Sequence, residues 1–174
     1  MPVATLEVIA GKDMARRPIV WRLGRLFNVV TNIRRARITE DYAFLSLTLE
    51  GSTAEIAQAT DYLRALNLLR DAPPSAPVDI PPPETGLPIT GAIHVKLTTV
   101  TPEQGQAPTL YRLGKDYNVI VNLERGAFDT EEGGSVEITI SGPLPEVQRA
   151  IAYLHTTGIH VNPRQRSVTD FSNL

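Results

Sequence analysis

The chain repeats itself, and this limits its folding more than any other feature. Laying residue n against n+90 aligns PIVWRLGRLFNVVTNI (18–33) with PTLYRLGKDYNVIVNL (108–123). Of these 16 positions 7 are identical: Pro18/Pro108, Arg22/Arg112, Leu23/Leu113, Gly24/Gly114, Asn28/Asn118, Val29/Val119 and Asn32/Asn122. Most others are conservative, such as Trp21/Tyr111 and Phe27/Tyr117. After one extra residue in the second copy the match resumes at n+91, with Leu47/Ile138, Leu49/Ile140, Gly51/Gly142, Glu55/Glu146, Ala59/Ala150, Tyr62/Tyr153 and Leu63/Leu154. The chain is two copies of one unit of about 70 residues, so the fold must be one that such a unit can build twice.

Between the copies lies APPSAPVDIPPPETGLPIT (72–90), which holds 7 of the 14 prolines. Proline fixes φ and lacks an N–H, which excludes a helix or a central strand here and predicts an extended connector. The expected organisation is a first unit over 1–71, a proline-rich linker over 72–90, a second unit over 91–162 and a polar tail over 163–174.

Each copy gives the same order of elements. TLEVIA (5–10) and IHVKLTT (93–99) alternate apolar with polar residues, the period of a half-buried strand. Pro18 and Pro108 suit the first turn of a following helix, whose inner stripe is Val20/Leu23/Phe27 and Leu110/Leu113/Tyr117. Asn28 and Asn118 stand where a left-handed helix terminator belongs. Second strands follow over 29–38 and 119–128, and third strands over 44–50 and 135–141. Ser52 with Glu55 three residues on is a capping-box pattern that opens a second helix, and the other copy uses Pro143 and Pro145 ahead of Glu146. A short last strand closes each unit near Leu66–Leu69 and Ile159–Val161. The order βαββαβ predicts an α+β protein of two ferredoxin-like domains, each a four-stranded antiparallel sheet with two helices on one face.

Composition narrows the function classes. The absence of Cys excludes thiolate metal sites, iron–sulfur clusters, disulfides and cysteine nucleophiles. A net charge of −2 gives no global field for nucleic acid, and there is no apolar run long enough to span a membrane. The opening MPVATLEVIAGKD lacks a basic leader, so the expected location is cytoplasmic. No phosphate-binding glycine loop, nucleophile elbow or HExxH pattern occurs, and no catalytic residue or cofactor is assigned. His94 and His160 fall on strands expected to be neighbours, but two imidazoles without a carboxylate pattern make a poor zinc site, and no metal is expected. Arg16, Arg17, Arg22, Arg25, Arg34, Arg35 and Arg37 form a basic stretch without interleaved exposed aromatics. Arg outnumbers Lys 14 to 3 in the whole chain, so the stretch reads as a solvated face or one that meets the second unit, and no nucleic-acid partner is expected.

Asn32 and Asn122 are the most suggestive pair. Asn is depleted in strands, yet both copies place it mid-strand among aliphatic residues. Its amide offers donors and acceptors suited to the carboxylate or ammonium of a free amino acid. In a ferredoxin-like sheet the second strand lies at the edge, so its open backbone groups are available for a ligand or another strand. The alternative is an Asn that ties down a loop or faces water. Gly24 and Gly114, mid-helix at about 1 kcal/mol relative to Ala, imply close packing of helix on sheet.

FNVVTNI (27–33) and YNVIVNL (117–123) resemble the NIL domain family, named for an Asn-Ile-Leu signature on its second strand. The proline before the first helix, the third strand ending at Gly and the A-x-x-Y-L of the second helix (59–63 and 150–154) agree. The resemblance covers roughly residues 3–70 and 92–162. It implies a non-catalytic regulatory module of the kind attached to methionine-importer ATPases, where NIL domains pair and bind methionine near their interface. Asn32, Ile33, Asn122 and Leu123 match the signature and become the expected ligand-binding residues. Its third position is instead Arg34 in one copy and Glu124 in the other, opposite charges expected to pair between domains. The resemblance thus implies a tandem module binding a small amino acid-like ligand such as methionine between its repeats. The alternative is an interaction module that docks on a transporter or another cytosolic partner without a small ligand.

Overall fold

The computed structural model describes residues 2–11, 17–70, 88–99 and 108–163. Most of the expected linker, the tail beyond residue 163 and Arg16 lie outside the described residues. The first unit runs β1 (Val3–Gly11), α1 (Ile19–Leu26), β2 (Val30–Ile38), β3 (Tyr42–Glu50) and α2 (Thr53–Ala65). The second runs β4 (Gly91–Thr99), α3 (Thr109–Asp116), β5 (Ile120–Asp129), β6 (Gly133–Gly142), α4 (Leu144–Thr156) and β7 (His160–Pro163).

The strands do not form two separate sheets. They join in one seven-stranded antiparallel sheet of order β1-β3-β2-β5-β6-β4-β7. The join is at β2 and β5, the second strands of the two units, paired Arg35↔Asp129, Ala36↔Phe128, Arg37↔Ala127 and Ile38↔Gly126. An edge strand carries a row of unpaired backbone groups, and here the second half of each edge pairs with the other. The fourth strand survives in full only in the second unit, as β7 on β4. In the first unit it shrinks to a bridge between Val8 and Leu69, flanked by Ile9 N donating to Leu68 O at 2.8 Å and Arg70 N donating to Glu7 O at 3.2 Å.

Alternation sorts the side chains. Ala43, Leu45, Leu47 and Leu49 of β3 are buried on the helix side, with Ile138 and Ile140 of β6 as their counterparts. Each unit has its own apolar cluster, and Leu110, Leu123 and Val136 pack against both. Ser52 caps α2 as its sequence suggests, its side chain accepting from Glu55 N at 3.2 Å. The Glu55 carboxylate instead accepts from Asn28 N at 3.1 Å, tying α2 to the end of α1. Asn28 is therefore not a left-handed terminator. Among the described residues Asn67, with φ 62°, is the only non-glycine in that conformation, and it ends α2.

The two first helices, α1 and α3, meet across the join, and their glycines explain how. A Cβ on Gly114 would stand 2.6 Å from Trp21 Cδ1, and one on Gly24 would stand 3.3 Å from Tyr111 Cδ1. The close approach foreseen for these glycines is thus of helix to helix rather than helix to sheet. Trp21 belongs to the second unit's core, where its Nε1 donates to Val119 O at 2.7 Å. Arg25 reaches across as well, donating from Nη2 to Tyr117 O at 3.1 Å with its guanidinium 5.3 Å from the Trp21 ring centre. Partial burial lowers its pKa from the usual guanidinium value.

Candidate functional site

The helix face of the sheet and the first helices leave two small cavities, related by the repeat. The larger, about 60 Å³, lies beneath the start of α3 and takes lining from both units: Thr31, Ile33 and Ala36 of β2, Leu110 of α3, Phe128 of β5 and Val136 of β6. The smaller, about 20 Å³, lies beneath the start of α1 and is bounded by Ile19, Val20, Ile38, Leu45, Val121 and Leu123. The offsets of 90 and 91 convert one wall into the other: Thr31 into Val121, Ile33 into Leu123, Val20 into Leu110, Ile38 into Phe128, and Leu45 into Val136. Each cavity therefore exists only because the two units face each other.

Hydroxyl side chains border the larger cavity, whereas the smaller is bordered by the exposed Arg17. Thr31 is 2% exposed, lines the wall, and has a buried hydroxyl without a hydrogen-bond partner. Thr109, at the first turn of α3, is also buried and borders it. The first N–H groups of a helix lack intrahelical partners and carry its positive end. Tyr111 completes this side, its phenol pKa raised first by burial and then by Asp116.

The signature residues divide between these places. Asn32 and Ile33 border the larger cavity and Leu123 borders the smaller. Alternation along β2 sends the Asn32 side chain to the face opposite Thr31 and Ile33, which are buried against the helices. Asn122 lies on the open face of the sheet, in a groove with His94, Glu124, Arg125, Glu137 and Glu40. The structure thus brings Ile33 and Leu123 to matching cavities without bringing the two amides together.

Arg34 and Glu124 occupy a position that periodicity alone conceals. In both units the register with the third strand slips at this residue, between Ile33 and Arg35 and between Leu123 and Arg125. Each is the extra residue of a β-bulge. The Arg34 side chain is exposed, and its carbonyl accepts from Thr130 N at 2.9 Å across the join. Glu124 accepts from Thr139 Oγ1 and lies 3.0 Å from His94 Nδ1. Among the described residues the ion pairs across the join are Arg35–Asp129 at 3.1 Å and Arg125–Glu40 at 2.9 Å, with none between Arg34 and Glu124.

The histidines are not neighbours either. His160 stands opposite Thr98 in the β4–β7 register, while His94 faces Glu124, Thr139 and, at 3.8 Å, Glu137. Among the described residues no group of three or more His, Cys, Asp or Glu side chains is placed to hold a metal ion. Nor is any described helix long and apolar enough to cross a membrane.

The family model described as the NIL domain matches the chain twice, over residues 5–69 and 95–163. A search of curated proteins gives no significant match.

Proposed function

This chain belongs to the NIL domain family, carrying the domain twice, and we propose on that premise that it is a regulatory module binding a small amino acid-like ligand between its two halves. Methionine is the first candidate. The observation that carries the reading is the cavity of about 60 Å³ walled by both units. A water needs roughly 10–15 Å³ of such volume, so the space takes a short side chain rather than a single solvent molecule. Ile33, Leu110, Phe128 and Val136 would enclose the apolar part of the ligand. An unbranched thioether suits such a wall because it adapts its shape and packs well on an aromatic edge, here Phe128 or Tyr111. Thr31, Thr109 and the first turn of α3 offer hydrogen bonds and a positive helix end to the polar head. Filling a cavity shared by both halves would strengthen their contact, which is how ligand occupancy becomes a signal that a regulatory module transmits.

Thermal denaturation and calorimetry with the common amino acids test this. A ligand at one hundred times its Kd stabilises by about 2.7 kcal/mol, a rise of roughly 5–10 °C in a chain of this size. No rise with methionine or any other amino acid at millimolar concentration removes the reading. A second reading, docking on a transporter or other protein without a small ligand, draws on the open sheet face, where Arg34, Arg35 and Arg37 are exposed. Reversal of all three charges would abolish co-purification of such a partner and leave amino acid binding intact.

A further inference from the structure

We infer that the duplication has made the two sites unequal, so that each chain takes one ligand molecule, in the cavity beneath α3, with the Thr31 hydroxyl as a specificity contact. The inference rests on the ligand-binding reading above and adds the stoichiometry, the location and the residue that selects. A symmetric pair of units offers two equivalent interfacial cavities. Here one measures about 60 Å³ and the other about 20 Å³, the second little more than the space of one water.

The chemistry of the walls diverges in the same direction. Where the larger cavity has Thr31 the smaller has Val121, and where α3 begins with Thr109, α1 begins with Ile19. The repeat keeps the backbone at these positions but puts hydroxyls on one side only, the smaller cavity being bordered by Arg17 instead. Threonine and valine are nearly isosteric, so packing alone does not call for an oxygen at position 31. The oxygen is moreover out of contact with solvent and has no partner. A buried hydroxyl left unpaired is destabilising, and native structures satisfy the great majority of such groups. The position is also free of the seam, since β2 pairs with β5 only from Arg35 to Ile38. A hydroxyl left unpaired in the unliganded protein, and needed by neither packing nor the join, is suited to a polar atom of the bound molecule once rotation about χ1 turns it from its buried position toward the cavity. It can donate to a carboxylate or thioether, or accept from an ammonium.

Titration calorimetry with L-methionine on the full chain decides it, alongside Thr31→Val and Thr31→Ser. The expected result is one site per chain, with roughly tenfold weaker binding in Thr31→Val and binding within about twofold of the parent in Thr31→Ser. Without ligand, Thr31→Val should melt roughly 2–6 °C higher, because the unpaired hydroxyl is gone. A merely structural hydroxyl predicts the reverse, a lower melting point and unchanged affinity. Two equivalent sites per chain, or equal affinity in Thr31→Val, overturns this inference and leaves the binding reading standing. No binding heat in the parent chain at millimolar L-methionine overturns both the inference and methionine as the candidate, while another amino acid that binds keeps the broader reading.

Discussion

Gly24→Ala and Gly114→Ala are the same substitution at repeat-related positions, and they should have different outcomes. In a helix interior Ala is favoured over Gly by about 1 kcal/mol, so each change starts with the same gain. At Gly114 the new methyl would stand 2.6 Å from Trp21 Cδ1 and 3.2 Å from its Nε1. Trp21 is 8% exposed, and its indole is fixed by the 2.7 Å bond to Val119 O. Overpacking a filled core costs about 1–3 kcal/mol, and moving the indole away strands a buried carbonyl at a further 1–3 kcal/mol or so. The net expectation is a loss of about 2–3 kcal/mol, or roughly 5–10 °C in melting temperature. At Gly24 the nearest atoms are Tyr111 Cδ1 and Cε1, both at 3.3 Å, on a half-buried ring that needs to yield only a few tenths of an ångström. There the propensity gain offsets the contact, and stability should stay within about 0.5 kcal/mol of the parent. Urea unfolding of both variants, with the slope compared to confirm that the unfolded state is unchanged, measures the contrast. Equal losses, or a Gly114→Ala protein as stable as the parent, would refute the assignment of Trp21 to the other unit's core.

Three further outcomes concern the join and its flank. Gly126 pairs with Ile38 at φ 148°, and a Cβ there would collide with Ser135 O, so Gly126→Ala should destabilise by roughly 2 kcal/mol or more in urea unfolding. Arg35→Ala removes an ion pair whose arginine side chain is 61% exposed, and it should change stability by less than about 1 kcal/mol, with any loss fading in added salt. Asp129 has a pKa below the usual carboxylate value because it accepts from the N–H groups of Glu131 and Glu132 and pairs with Arg35, the Glu131 N–H first. A folded pKa below the unfolded one stabilises above about pH 4 and loses that effect as pH falls through the folded value. Unfolding measured from pH 6 down to pH 2 should therefore show a shallower acid decline in Asp129→Asn than in the parent. An identical decline would show that the carboxylate gains nothing from its turn.

What the sequence made legible is what local pattern carries, and its limits follow from the same cause. Alternation in TLEVIA and FLSLTLE, the Pro18 and Pro108 starts and the Ser52 cap all report on a residue's immediate neighbours, and those elements lie where the pattern puts them. Alternation also says which face of a strand is buried, but not what its edge will meet. The pairing of Arg35–Ile38 with Gly126–Asp129 is a contact between residues far apart in the chain, and no local signal distinguishes it from an edge open to solvent or ligand. Trp21 shows the same limit: by helical spacing it falls off the inner stripe of its own unit, and it is buried only because the other unit covers it. The signature strand shows it most fully. Read with a period of two, Asn32, Arg34 and Ala36 would share a face, yet Ala36 is buried against the core, because a bulge at Arg34 reverses the alternation. That bulge keeps Ile33 and Ala36 both toward the helices while position 34 leaves the ladder, and the second unit repeats the device at Glu124. Residues of opposite charge are tolerated at the same signature position because neither has to enter the core. Their difference is therefore uninformative about the cavity, whereas the change from Thr31 to Val121, three positions earlier on the same strands, falls on its wall.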